Sequence, residues 1–152
     1  GARTTSNPFA LEEIAQNIKN KNVEIWIKNP MFPDFKLWIG AVERFQKNKN
    51  NNIKLIHRGF FLEDSKKYRN QPRWDLVKKI RNKYPEIPII CDPSHIAGKR
   101  TLIQRVCEQA LEEQIDGLMI EVHHKPNQAL SDAQQQLCPK KFKKLLLNLG
   151  LK

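Results

Sequence analysis

Apolar and polar positions alternate along the chain in a pattern that predicts short strands between amphipathic helices. Four apolar runs have the composition of buried strands: residues 23–28, 53–57, 87–91 and 117–122. Apolar residues recur at helical spacing over residues 8–20, 34–48, 73–84, 99–113 and 140–149. Strands that alternate with helices in this way indicate βα units on a parallel sheet. We therefore expect one α/β domain over residues 1–152, with four βα units preceded by one helix.

The helix signals also predict which side chains pack inward. Asn7 is placed to cap the first helix, and Pro8 suits its first turn. On the second helix the inward face is expected to hold Phe35, Leu37, Trp38, Ala41, Val42 and Phe45. On the helix at 99–113 it is expected to hold Leu102, Val106, Ala110 and Leu111. The tryptophans are typical of core or half-buried packing.

Every predicted strand ends in a chemically active side chain. The strand ends carry Lys28, then His57 with Arg58, then Asp92 with His95, and finally Glu121 with His123. Because the carboxyl ends of parallel strands share one edge of a sheet, residues far apart in the sequence converge there. The loops at 58–72 and 123–139 leave the same edge. This layout is typical of an active site.

Two kinds of chemistry fit these residues. His95, Glu121 and Asp132 could together bind a divalent ion such as Mn²⁺, Fe²⁺, Co²⁺ or Zn²⁺. Taken singly, His95 could equally be structural and Asp132 a helix N-cap. Lys28 and Arg58 could bind phosphate or carboxylate groups, and the alternative for each is an ordinary solvated base.

Composition narrows the class of protein. The three cysteines are widely spaced and odd in number, which favours a reducing compartment, and we expect a cytoplasmic location. We expect Cys91 and Cys107 to pack inside the protein as small apolar residues. No apolar run is long enough to cross a bilayer, so no membrane partner is expected. The net charge is +11, but the basic residues are dispersed and lack a nucleic-acid-binding motif, so we expect no nucleic-acid partner.

The segments "CDPSHIAGKR" (91–100) and "DGLMIEVHHKPNQALSDAQQQLCP" (116–139) resemble 3-deoxy-7-phosphoheptulonate (DAHP) synthase of the smaller, barrel-only type. "GAR" (1–3), "WIKNP" (26–30) and "IHRGF" (56–60) fit strand ends of that family which bind phosphoenolpyruvate. The related 3-deoxy-octulosonate 8-phosphate synthase shares several of these segments but carries P-A-F where "GAR" stands. "NPFALEEIA" and "YRNQPRW" look like the subgroup often fused to a chorismate mutase.

The resemblance implies a TIM (β/α)₈ barrel, of which this chain would be the C-terminal half. It implies that His95, Glu121 and Asp132 bind the metal ion, and that Arg3, Arg58 and Lys28 bind phosphoenolpyruvate. The implied reaction condenses phosphoenolpyruvate with erythrose 4-phosphate in the first step of the shikimate pathway. A homo-oligomer is expected, and a chorismate mutase domain in the full-length protein is left open.

The family's G-P-C and K-P-R-T-S segments do not occur in these 152 residues. The chain by itself is therefore expected to be inactive. Four βα units cannot close an eight-stranded barrel, so Trp26, Leu55, Ile89 and Met119 are expected on an open inner face. The alternative enzyme is the octulosonate synthase, and the alternative of another class is a non-catalytic basic α/β module that binds nucleic acid or protein.

Overall fold

The computed structural model describes residues 1–151, which form a parallel four-stranded sheet with helices between the strands. The strands are β1 (Ile25–Lys28), β2 (Ile53–His57), β3 (Ile89–Cys91) and β4 (Gly117–Leu118). The helices are α1 (Ala2–Thr5), α2 (Pro8–Asn17), α3 (Phe35–Lys47), α4 (Trp74–Lys83), α5 (Pro93–Ala97), α6 (Arg100–Glu112) and α7 (Pro139–Asn148). A 3-10 turn covers Pro126–Gln128. No helix within residues 1–151 has the length and apolarity needed to span a membrane.

The strands lie in the sheet in chain order, β1-β2-β3-β4, and every neighbouring pair is parallel. Each connection between them contains a helix, which is the usual crossover between parallel strands. The predicted α/β class with four βα units is therefore confirmed. The carboxyl ends of all four strands lie at one edge of the sheet, which we call the rim.

Local signals account for where several helices begin. The side chain of Asn7 accepts hydrogen bonds from the backbone N–H groups of Phe9 and Ala10, so the predicted cap is confirmed. Asp34 caps α3 in the same way through Leu37. On α3, the inward face predicted from the sequence holds the buried residues Trp38, Ala41, Val42 and Phe45.

The inward face of α6 differs from the prediction by part of a turn. Ile103, Val106, Cys107 and Ala110 are buried, whereas Leu111 is 40% exposed. The pattern was ambiguous because apolar residues occur at adjacent positions on this helix. Packing against the sheet selects the set centred on Val106.

The two faces of the sheet are not equally covered. Leu55 and Ile89, paired across β2 and β3, are both 0% exposed and belong to the main core. The prediction that these two would lie on an open inner face was therefore wrong. Side chains alternate along a strand, so the opposite face carries Trp26, which lies beside Lys54 and is 42% exposed. Met119 is partly exposed.

Two differences from the predicted elements occur where β3 meets β4. Pro93 and Ser94 begin the short helix α5, where the sequence analysis predicted no element, and Asp92 caps it through the N–H of His95. Because β3 ends at Cys91, the ladder to β4 also stops early. The N–H of Glu121 donates instead to Oγ of Ser94, 3.0 Å away. The strand predicted over 117–122 is thus regular only at its first two residues.

His57, at the end of β2, is completely buried among aromatic rings. Its ring lies 4.9 Å from that of Trp74 and 6.3 Å from that of Trp38, centroid to centroid. Neither ring nitrogen makes a regular hydrogen bond to any residue in 1–151. Burial lowers the pKa of His57 from 6.5 to about 3, although the nearby carbonyl of Pro72 and the charge of Asp92 oppose the shift.

We predict that His57 makes the protein less stable in acid. Between pH 6.5 and about 3 the unfolded chain binds a proton at this ring that the folded chain does not. The free energy of unfolding should therefore fall as the pH falls through this range, by up to about 1.4 kcal/mol per pH unit from this group. His57→Phe should flatten the dependence, measured by urea unfolding at pH 7.5 and pH 5. His124→Phe, at an exposed histidine, should leave the slope as in the wild type; equal slopes in all three proteins would contradict this account.

We also predict that the 152-residue chain, produced alone, self-associates. Within residues 1–151, β1 and β4 each pair on one side only, and unpaired strand edges recruit other chains. Light scattering over a concentration series should give masses above 17.8 kDa, and Trp26→Gln should lower them by removing apolar surface from the open face. A monomer at every concentration would show that the edges are protected.

Candidate active site at the strand ends

The rim brings together most of the residues that the sequence analysis placed there. Lys28 is the last residue of β1, and Arg58 follows β2 directly. His95 lies in α5 after β3, and Glu121 follows β4. Asp132 reaches the same place from the loop between β4 and α7. Residues from all four βα units therefore meet within one cluster.

Asp92 links Lys28, on the basic side of this cluster, to the candidate metal ligand His95. Its Oδ2 lies 3.2 Å from Nζ of Lys28 and 2.9 Å from Nδ1 of His95. The contact with the imidazole has the distance of an ion pair but not the alignment of a regular hydrogen bond. Burial alone would raise the pKa of Asp92, but the contacts with His95 and the charge of Lys28 outweigh it and lower the pKa. The sequence places Asp92 at a strand end but does not show that it bridges Lys28 and His95.

His95, Glu121 and Asp132 form a cluster with the geometry of an incomplete metal site. One ligand atom from each lies within 4.8 Å of the others, and all three side chains are partly buried. Three ligands at about 2.0–2.2 Å from one ion would be about 4 Å apart or less, so small side-chain rotations bring this set into range. Because Nδ1 of His95 faces Asp92, Nε2 is the nitrogen available to a metal ion. The donor set fits a first-row divalent ion.

Arg58 is held on the rim by two asparagines. Its backbone N–H donates to Oδ1 of Asn29 over 2.7 Å, and its Nη1 donates to Oδ1 of Asn70 over 2.8 Å. Asn70 in turn donates to the carbonyl of His95 over 2.7 Å. Burial lowers the pKa of the Arg58 guanidinium, and the charge of Asp92 opposes this shift. These contacts orient a buried cation beside the carboxylate–imidazole cluster.

Arg3 lies near the rim but is not fixed there. It belongs to α1, whose Thr5 donates from Oγ1 to the carbonyl of Lys28 over 2.7 Å. The charge of Arg3 is close enough to oppose protonation of Arg58. Its side chain is exposed and makes no hydrogen bond or ion pair with any residue in 1–151.

Two further residues of the site were not identified from the sequence. Gln135 is 1% exposed and donates from Nε2 to Oε2 of Glu121 over 2.6 Å. Arg69 lies 2.6 Å from Oδ1 of Asp132. Asp132 caps no helix, since its loop continues as turns. Arg69 lies in "YRNQPRW" and Gln135 in "ALSDAQQQL", and both segments belong to the resemblance. The spacing of the two segments along the chain does not show that they touch.

The cysteines take no part in this cluster. Cys91 and Cys107 are both 0% exposed in the core, as predicted. Burial raises the pKa of Cys91 well above its usual value and that of Cys107 to about 12. Both are therefore neutral thiols at physiological pH, unsuited to nucleophilic chemistry.

Comparison with known proteins gives a consistent result. The model of the DAHP synthetase I family matches residues 1–150. A phospho-2-dehydro-3-deoxyheptonate aldolase of Thermotoga maritima is 30% identical over 146 residues, covering 96% of this chain and 41% of that protein. The chain thus spans less than half the length of this relative.

Two solved structures from the same organism share the fold. A truncated 3-deoxy-D-arabino-heptulosonate 7-phosphate synthase superposes with a TM-score of 0.85 at 29% identity, covering 99% of this chain and 55% of that one. A phospho-2-dehydro-3-deoxyheptonate aldolase superposes with a TM-score of 0.86 at 29% identity, covering 99% and 43%. The βα arrangement is therefore that of part of a DAHP synthase barrel. With a family match over nearly its whole length, the chain belongs to the DAHP synthetase I family.

Proposed function

We propose that the complete protein condenses phosphoenolpyruvate with erythrose 4-phosphate to give 3-deoxy-D-arabino-heptulosonate 7-phosphate and phosphate. The observation that carries this proposal is the cluster of His95, Glu121 and Asp132 beside two cations on the rim, in a chain of this family. This chain would be the C-terminal half of the barrel. By itself it would be inactive, because the G-P-C and K-P-R-T-S segments that the family uses are not among its residues.

The metal ion would be Mn²⁺, Fe²⁺, Co²⁺ or Zn²⁺, held by Nε2 of His95 and by the carboxylates of Glu121 and Asp132. One imidazole and two carboxylates suit all four ions. When bound, the ion supplies Lewis-acid polarisation of the aldehyde oxygen of the sugar phosphate.

The residues of this chain would bind and orient the other substrate. Arg58 and Arg3 would hold the phosphate of phosphoenolpyruvate, and Lys28 its carboxylate. Charge-assisted contacts of this kind fix an anion and place carbon 3 against the aldehyde carbon. A bond would form between these two carbons, and water would add at carbon 2 and release the proton that the aldehyde oxygen takes up. The bond from carbon 2 to the phosphate oxygen would then break, leaving a ketone and free phosphate. Asp92 would hold Lys28 and His95 in place throughout.

The cellular setting follows from the same features. Two buried free thiols and a third, partly exposed one suit a reducing cytoplasm. The unpaired sides of β1 and β4 favour a homo-oligomer, or pairing with further strands of the full-length protein. We also propose that the full-length protein carries a fused chorismate mutase domain. Dispersed basic charge suits two anionic substrates.

The first prediction from this proposal concerns the metal. In the complete protein, His95→Ala and Glu121→Ala should each abolish metal-dependent condensation, because each removes a ligand from a three-residue set. Activity would be followed by phosphate release after chelation and readdition of Mn²⁺. His124→Ala, at an exposed histidine close in sequence, is the control. Near-normal activity of either ligand variant in chelator would contradict the assignment.

The second prediction concerns the anion-binding cations. Lys28→Ala and Arg58→Ala should each weaken phosphoenolpyruvate binding about ten- to a hundredfold, since a charge-assisted contact contributes roughly 1.5–3 kcal/mol. Lys54→Ala is the matched control, because Lys54 is a lysine near the opposite end of β2. Calorimetry with phosphoenolpyruvate would measure all three. Unchanged affinity in both rim variants would place the anion site elsewhere.

A further inference from the structure

A chain of hydrogen bonds connects the two carboxylates, Glu121 and Asp132, among the three proposed metal ligands. Gln135 donates to Glu121, Arg69 donates to Gln135 over 2.8 Å, and Arg69 also pairs with Asp132. We propose that Arg69 and Gln135 are positioning residues that hold Glu121 and Asp132 ready for the metal ion. This inference rests on the proposed metal site and adds two residues that would not touch the ion or the substrates.

The orientation of the Gln135 amide is determined by its neighbours. A carboxylate only accepts hydrogen bonds and a guanidinium only donates them. Gln135 must therefore turn its NH₂ group towards Glu121 and its oxygen towards Arg69. With the side chain 1% exposed, water cannot replace either partner. Oε2 of Glu121 accepts this bond, and the carboxylate keeps further lone pairs for a metal ion.

Arg69 satisfies two acceptors with one nitrogen. Nη1 lies 2.6 Å from Oδ1 of Asp132 and 2.8 Å from Oε1 of Gln135. The backbone of Asp132 has a φ of 52°, in the left-handed region that few non-glycine residues adopt. The ion pair to Arg69 helps to offset the cost of that conformation and fixes the direction of the carboxylate.

Gly98 explains why Arg69 can reach this position. It has a φ of 69°, and a Cβ atom added to it would lie 2.5 Å from Cβ of Arg69. The stem of Arg69 therefore lies directly on the backbone three residues after His95. The next residue, Asn70, donates to the carbonyl of His95. Residues 69 and 70 thus contact the segments of His95 and Asp132 directly, and reach Glu121 through Gln135.

Two effects of Arg69 on metal affinity oppose each other. Its positive charge repels a metal ion, whereas its hydrogen bonds hold the ligands in place. The side chain is 46% exposed, so solvent and salt screen its charge. The hydrogen bonds to Asp132 and Gln135 are short and specific, and loss of such supporting contacts costs metal sites about 10- to 100-fold in affinity. Positioning should therefore dominate.

The test is Mn²⁺ affinity, measured by calorimetry on the metal-free complete protein. Arg69→Met should weaken binding about 10- to 100-fold. Arg69→Lys keeps the charge, but its ammonium lies one bond short of the position of Nη1, so it should weaken binding nearly as much. Gln135→Met, similar in size and without hydrogen-bonding groups, should act in the same direction. Lys66→Met, which removes an exposed charge from the same loop, should leave the affinity within about twofold if screening holds.

The outcomes separate the inference from the proposed function. If Arg69→Met and Gln135→Met bind Mn²⁺ as tightly as the wild type, or more tightly, the positioning role is wrong. If the wild-type protein itself fails to bind Mn²⁺, Fe²⁺, Co²⁺ or Zn²⁺, the metal site is wrong and the inference falls with it. Circular dichroism of the metal-free variants shows whether each is folded. Should Arg69→Met be unfolded, the result for Gln135→Met decides.

Discussion

The buried carboxylate of Asp92 is the interaction on which the rest of the site depends. Its side chain is 2% exposed, and a carboxylate so buried remains charged only where cations and hydrogen-bond donors surround it. Lys28 and His95 provide them, and they lower its pKa despite burial. Because Lys28 lies on β1 and His95 lies beyond β3, one carboxylate spans the width of three strands. It places a cation and an imidazole side by side while also capping α5.

Around Asp92 and its two partners, the loops are joined largely by neutral amide side chains. Asn29 and Asn70 hold Arg58, and Gln135 holds Glu121. An amide can donate and accept at once, so it can connect a charged side chain to a carbonyl of another loop without adding charge. These amides add no charge of their own, so they leave the charges of Arg58 and Glu121 to the anion and the metal ion that we propose.

The two faces of the sheet differ in how far their side chains are buried. Helices cover the face that carries Leu55 and Ile89, whereas the other face leaves Trp26 42% exposed. The rim lies at the boundary between these two faces. Relatives of the chain are about twice its length, and in a closed barrel further strands would cover the open face. Site and fold would then be completed by the same residues.

The sequence by itself determined the order of the elements, the parallel sheet, the Asn7 cap and the convergence of Lys28, Arg58, His95 and Glu121. These features follow from local periodicity and from the rule that parallel strands end at one edge. The tertiary structure decided that β4 stops at Leu118, that α6 turns Leu111 outward, and that Gln135 and Arg69 meet behind the carboxylates. The last of these outcomes depends on a hydrogen bond between residues 66 positions apart in the sequence. A hydrogen bond between two irregular segments leaves no periodic pattern in the sequence, so only the folded chain shows it.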